Sequence, residues 1–309
     1  MPISSRKLNL EQLEVRNLLT TITVTTVADV VDGDTTSISG LLAVDESGDP
    51  IGVGADGEIS LREAILAANN GNGPALEGFG TAVQILFDSS LSGQTIHLKN
   101  DVDDYINNGS HFETYGSFSI KGDRSDPIKI SAGGQVTDGA PDCAGGARHF
   151  RVKGSSSSDT ALLLDGVELI GGNTSLESGG AIYLEAQSGL TVRNSKLTGN
   201  CAVNGGAIFA EYNNVDVSFK RMHIESTQFE HNLADANGGA VYAEIRNPVT
   251  VSNSKIYPET TSGSFTIDSS SFVSNEADRG GALFIRNVAR LSLFDKAGYP
   301  MAWAGAMSI

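Results

Sequence analysis

The chain has 309 residues, of which 39% are hydrophobic and 19% charged, with 36 Gly, 8 Pro and a formal net charge of -16. There is enough apolar material for a core, but a Gly-rich, charge-poor composition does not suit a helical bundle. The acid excess repels phosphate backbones and argues against a nucleic-acid partner. No run of 18 apolar residues offers a transmembrane segment.

Residues 6–19, RKLNLEQLEVRNLL, carry Leu at 8, 10, 13, 18 and 19 with charges interspersed. Such a stretch could form a short amphipathic helix, but it lacks the apolar run of a conventional signal peptide. Residues 1–20 are therefore read as a sorting segment that folding does not need. TTITVTTVADVV (20–31) reads as a strand.

From Asn17 to Leu61 there are eight acidic residues and no Lys or Arg. VDGDTTSISG and AVDESGDPIGVGADGE in this stretch read as loops. Calcium is the one cofactor they could hold, around Asp29, Asp32 and Asp34 or around Asp45, Glu46, Asp49, Asp56 and Glu58. The spacing is not that of an EF-hand, and a solvated loop is the preferred reading. SLREAILAANN (60–70) reads as a helix: Ser60 and Glu63 form a capping box, and Leu61, Ala64, Ile65 and Ala68 line one face. Gly71 and Gly73 end it. Residues 21–83 are assigned to an N-terminal cap carrying this helix.

From Val83 short apolar strands alternate with Gly, Asp, Asn and Ser turns, and from residue 173 a repeat emerges. GGAIY (179–183), GGAIF (205–209), GGAVY (238–242) and GGALF (280–284) recur at periods of 26, 33 and 42 residues. An Asn precedes each: Asn173, Asn200, Asn232 and Asn275. A second strand recurs at constant spacing as Val192-x-x-Ser195-x-Leu197-x-x-Asn200, Ile224-x-x-Thr227-x-Phe229-x-x-Asn232 and Ile267-x-x-Ser270-x-Phe272-x-x-Asn275. Constant strands joined by connections of unequal length are the mark of a solenoid that accepts insertions as outward loops. The reading is all-β, a right-handed parallel β-helix over 84–294 with one short N-terminal capping helix. The Asn side chains would form a structural ladder, and Gly179, Gly205, Gly238 and Gly280 would permit the sharp corners.

These residues carry a resemblance. The Asn…GGA[I/V] pattern resembles the repeats of chlamydial polymorphic outer-membrane proteins and of bacterial β-helix repeat proteins. GEISLREAILAAN resembles the CSLREA segment that opens many such chains, with Ile59 where that motif has Cys. LEQLEVRNLLT resembles the LEPR-XLL segment of large planctomycete extracellular proteins, with Val15 in place of Pro. The resemblance touches most of the chain, weakly between 84 and 170. It implies export and a long β-helix, extracellular or at the cell surface. It implies no activity.

Strand alternation turns Ile182 and Leu184 inward and Ala181, Tyr183 and Glu185 outward. Stacked coils would then show a stripe of Tyr183, Phe209, Tyr242 and Phe284. Beside it would run a row of Glu185, Glu211 and Glu244, ending at Arg286. Sugars stack on such stripes and donate hydroxyls to such carboxylates, so a groove for a polysaccharide or cell-envelope polymer is one expectation. Insertions folded over the aromatics are the other. No catalytic residues can be named. The five His (97, 111, 149, 223 and 231) are scattered, and His149 and His231 look like solvated strand-end or turn residues. Nucleophile-elbow, HExxH and P-loop motifs are missing. The leading reading is non-enzymatic attachment or glycan binding. The alternative is a polysaccharide lyase or glycoside hydrolase on the same scaffold, since a β-helix hosts both.

Two features complete the reading. Cys143 and Cys201 make neither a disulfide framework nor a zinc site, and each is expected to be an unpaired buried or turn thiol. Residues 295–309, DKAGYPMAWAGAMSI, offer neither a further repeat nor a polar cap. Two expectations compete: the favoured one is an uncapped tail on a piece of a longer protein, and the other is a tail folded across the open end that buries Trp303.

Overall fold

The computed structural model describes residues 20–70, 83–99, 111–137, 140–154, 160–174, 176–185, 187–211, 222–245, 249–252, 255–258, 265–287, 291–294, 300–303 and 306–308. Four sheets of parallel strands run along one axis, as in a parallel β-helix. The first face stacks Thr20–Val24, Val83–Phe87, Ser117–Lys121, Thr160–Asp165, Ser188–Arg193, Met222–Glu225 and Phe265–Asp268. The second stacks Thr95–His97, Ile128–Ser131, Val167–Ile170, Lys196–Thr198, Gln228–Glu230 and Ser271–Val273. A narrow corner sheet holds Asn173–Thr174, Cys201–Asn204, Leu233–Asn237 and Glu276–Arg279. The third face stacks Phe112–Thr114, Phe150–Val152, Ile182–Leu184, Ile208–Glu211, Val241–Ile245 and Leu283–Asn287.

Because strands of one face stay in register, equal residues stack into columns. Ile22, Ile85, Ile120, Leu164, Val192, Ile224 and Ile267 form one inward column of the first face. Ile130, Leu169, Leu197, Phe229 and Phe272 form one of the second, where the last two rings stack at 4.9 Å. All but the terminal Ile267 and Phe272 are completely buried, so each contributes about 1.5–3 kcal/mol of transfer free energy. A substitution in one coil is therefore felt by the coils on either side.

Each of the four coils from residue 160 on turns three times through the left-handed region. Gly166, Asn194, Ser226 and Ser269 make the first corner; Gly171, Gly199, His231 and Ser274 the second; Gly179, Gly205, Gly238 and Gly280 the third. The Gly-Gly pair divides its work. Gly205 supplies the positive φ of 59°. Gly206 has no positive φ, but an added Cβ there would run into the carbonyl oxygens of Gly239 and Leu233 in the next coil. The second glycine is fixed by close approach, not by dihedral.

Asn200 and Asn232 form the core of the side-chain ladder. Asn200 Nδ2 donates to Asn232 Oδ1 and Asn232 Nδ2 donates to Asn275 Oδ1, both at 2.8 Å. The same oxygens accept the backbone N–H of Asn200 and Asn232. The sequence reading placed Asn173 in this ladder, and the register corrects it. Asn173 lies level with Cys201, one place further along. Gly172 occupies the ladder level and donates its N–H to Asn200 Oδ1 at 2.8 Å. Successive ladder levels are 28, 32 and 43 residues apart.

The cysteines also require a correction. Cys143 and Cys201 form a disulfide, with Cα atoms 5.6 Å apart and a sequence separation of 58. Distance along a solenoid is not distance in space. Asn173 donates its N–H to Ala147 and its Nδ2 to Gly145, while Cys201 donates its N–H to Gly172. Two coil steps thus bring the 143 loop onto the 201 corner.

At the N-terminal end the first-face ladder begins before residue 84. Thr20–Val24 lies parallel to Val83–Phe87, and the chain between them carries two helices. The first, α1 (Ile38–Leu41), lies in a stretch read as a loop; Ser37 caps it by accepting the Gly40 N–H. The second, α2 (Leu61–Asn70), is the expected one. Its capping box is formed, Glu63 N–H to Ser60 Oγ at 3.1 Å and Ser60 N–H to Glu63 Oε2 at 2.8 Å. Leu61, Ala64, Ile65 and Ala68 are buried against strands of the first and third faces. Buried Arg62 grips Asp29 through two hydrogen bonds of 2.6 and 2.7 Å.

At the other end, Pro300–Trp303 pairs antiparallel with Leu291–Phe294. Ala306–Ser308 pairs antiparallel with Leu283–Asn287, the last parallel strand of the third face. The tail therefore contributes strands. The sorting segment 1–19 and the helix-ending glycines at 71 and 73 lie outside the described residues.

Candidate functional site

The third face carries the outward residues singled out in the sequence. Register places Glu113, Arg151, Tyr183, Phe209, Tyr242 and Phe284 in one column. The four aromatic rings stack on one another with centroids 5.2, 4.9 and 5.5 Å apart and interplanar angles of 27°, 8° and 10°. Coil spacing brings the rings face to face along the axis. Their faces are occupied by each other, and the surface meets mainly ring edges. At the Tyr183 end the guanidinium carbons of Arg148 and Arg151 lie 5.1 and 5.8 Å from the ring centroid.

Accessibility changes along the column. Tyr183 and Phe209 are half-buried, whereas Tyr242 and Phe284 are buried. Tyr242 Oη donates to Glu244 Oε2 at 3.2 Å, and burial pushes that hydroxyl above its ordinary pKa. Glu244 is itself buried; Glu211 and Arg286 lie in register with it on the adjoining strands. Glu185 is half-buried and accepts Arg151 Nε at 2.8 Å.

The half-exposed end holds charged residues that the sequence reading passed over. Lys153 Nζ donates to Glu113 Oε2 at 2.7 Å and Arg148 Nη2 to Glu177 Oε2 at 2.9 Å. The hydrogen bond from Arg148 holds the Glu177 carboxyl below its usual pKa; burial draws the Arg148 guanidinium below its own. Three cations and three carboxylates thus form cross-coil pairs around Tyr183. They could have been found only by aligning the coils before residue 173, where no Gly-Gly marks the register.

His149 corrects another expectation: it is completely buried instead of solvated. Its Nε2 lies 2.9 Å from the Ile130 carbonyl, and burial lowers its pKa to about 4. His231 does occupy a turn, at φ 52°. The acidic loops use their carboxylates on the backbone. Asp32 accepts the N–H groups of Ala55 and Asp56, and Asp45 those of Ser47 and Asp49. Among the described residues no group of three His, Cys, Asp or Glu side chains is arranged to hold a metal.

Among known families, residues 226–244 match the Chlamydia polymorphic membrane protein (Chlamydia_PMP) repeat. The matched segment runs from the first corner of one coil, through Asn232 and Gly238-Gly239, into the third-face strand. No curated protein and no solved structure matches the chain. Among the described residues no helix is long and apolar enough to cross a membrane.

Proposed function

We propose that this chain is an exported, surface-displayed parallel β-helix that attaches to a cell-envelope polymer or glycan without transforming it. Two findings support export. The Cys143–Cys201 disulfide suits an oxidising compartment. The repeat matched at 226–244 is that of polymorphic membrane proteins.

The observation that carries the attachment reading is the third-face column. Half-buried Glu113, Arg151, Tyr183 and Phe209 follow one another in register, with Glu185 beside them. Coils repeat at ~4.8 Å, close to the advance of one sugar unit along a polymer. Because the ring faces stack on each other, recognition rests on the Glu and Arg hydrogen bonds and on ring edges. The half-exposed segment from Glu113 to Phe209 is the proposed contact; Tyr242, Phe284 and Glu244 support it from below the surface.

A panel of polysaccharides incubated with the protein, with and without calcium, tests both parts. The expected outcome is retention on one or more polymers, reduced by Glu185→Ala or Tyr183→Ala, with no new reducing ends or unsaturated products. Turnover abolished by one acidic substitution would replace this reading with the lyase or hydrolase one. Retention that ignores both substitutions would move the contact off the third face.

A further inference from the structure

We propose that a ribbon in the N-terminal excursion is a docking surface for a basic, apolar-bearing polypeptide segment. The ribbon follows α1. Ile51 donates its N–H to the Ala43 carbonyl, Asp45 donates its N–H to the Asp49 carbonyl, and Val44 and Pro50 form an antiparallel bridge. Leu42 is the C-cap residue of α1, two places before the bridge. Ile51 follows the bridged Pro50 and so turns to the side opposite Val44. Val31 lies on the adjoining segment, which is tied to the ribbon by the bond from Asp34 N–H to the Gly52 carbonyl.

These side chains are left in solvent. Val31 is 48% exposed, Leu42 39%, Val44 56% and Ile51 64%. Together they are four of the seven exposed large hydrophobics among the described residues, gathered within one short excursion. Scattered apolar side chains need no explanation, but four within one short hydrogen-bonded excursion supply a driving force for association with a segment that wraps its two sides.

The surrounding charge selects the partner. Between Asp32 and Glu58 seven carboxylates are exposed, and this span contains no Lys or Arg. None of the seven belongs to a described ion pair. The sole cation from residue 20 to 70, Arg62, is buried against Asp29. An acidic partner, or a second copy presenting the same acidic ribbon, would be repelled. A segment carrying Lys or Arg beside Leu, Ile or Val would gain both burial and attraction.

The surface is separate from the third-face column, so its test is independent of polymer binding. The full chain is titrated into labelled short peptides of alternating Lys and Leu, Lys and Ser, or Glu and Leu, followed by fluorescence anisotropy. The Lys/Leu peptide is expected to bind best, and added salt to weaken it. Val44→Ser with Ile51→Ser should weaken it about tenfold, while Tyr183→Ala leaves it unchanged. Both substituted positions are exposed, and an unchanged melting temperature confirms that the double variant folds. Equal binding of the Lys/Ser peptide, or an unaffected double variant, overturns the proposal. So does self-association of the wild-type chain that the double substitution abolishes, since the ribbon would then join copies of the chain.

Discussion

Replacing Asn232 by Ala should be among the most destabilising single changes in the chain. Asn232 is completely buried. Its Oδ1 accepts the Asn200 N–H at 3.1 Å and Asn200 Nδ2 at 2.8 Å; its Nδ2 donates to the Leu197 carbonyl at 3.0 Å and to Asn275 Oδ1 at 2.8 Å. Truncation leaves the Asn200 N–H and the Leu197 carbonyl without these partners in a dry interior. Asn200 Nδ2 retains only a 3.4 Å contact with the Leu169 carbonyl. Each orphaned buried group costs about 1–3 kcal/mol, so a total of about 4 kcal/mol is expected. Asn275→Ala removes a comparable set of bonds at the half-buried last level, where water can replace them, and should cost about half as much. Asn232→Asp keeps the acceptor but sets a carboxylate against Leu197 O and Asn275 Oδ1, so it should be no better than Ala at neutral pH. Urea unfolding followed by far-ultraviolet circular dichroism reads all three. A cost for Asn232→Ala below about 1 kcal/mol would refute the ladder as a source of stability, and equal costs at 232 and 275 would refute the role given to water at the last level.

Gly206→Ala, which drives a Cβ against the Gly239 and Leu233 carbonyls, should cost about 1–3 kcal/mol or more, whereas Gly281→Ala, whose nearest atom is Asn275 O at 3.3 Å, should be nearly neutral by the same assay. Buried His149 titrates near 4 in the fold and near 6.5 when unfolded, so the unfolded state takes up the proton first as pH falls. Its contribution to stability should be lost between pH 6.5 and 4, by about 3 kcal/mol in all, and His149→Gln should flatten that part of the stability-versus-pH curve. Native protein should show no free thiol, and Cys143→Ser should lower stability by about 2–4 kcal/mol in thermal or urea melts; titratable thiols in unreduced native protein would contradict the bond.

The fold was readable because its determinants repeat. The Gly-Gly-Ala corners and the constant strand before each Asn encode register directly, and the columns Tyr183–Phe209–Tyr242–Phe284 and Glu211–Glu244–Arg286 follow from counting. What escaped reading depends on distance between coils. Asn173 stands six residues before its Gly-Gly, as Asn232 does, yet the corner between Leu233 and Asn237 contains a register shift that spoils the count. The disulfide and the pairs Arg148–Glu177, Arg151–Glu185 and Lys153–Glu113 link coils whose register no motif announces. Counting gives the column of aromatics, but alternation gives the side of a strand and not the tilt or depth of a ring, so the ring-on-ring stacking and the burial of Tyr242 and Phe284 were not legible.

The disulfide gives the stack a mechanical character. A solenoid pulled from one end can peel coil by coil, since each coil is held chiefly by its two neighbours. Cys143 and Cys201 sit two coil steps apart, and the bond between them takes the intervening chain out of any such peeling. At about 3.5 Å per residue, the 58-residue interval hides roughly 200 Å of extensible length. Under load, that clip would separate a coil stack free to yield from one that stays closed.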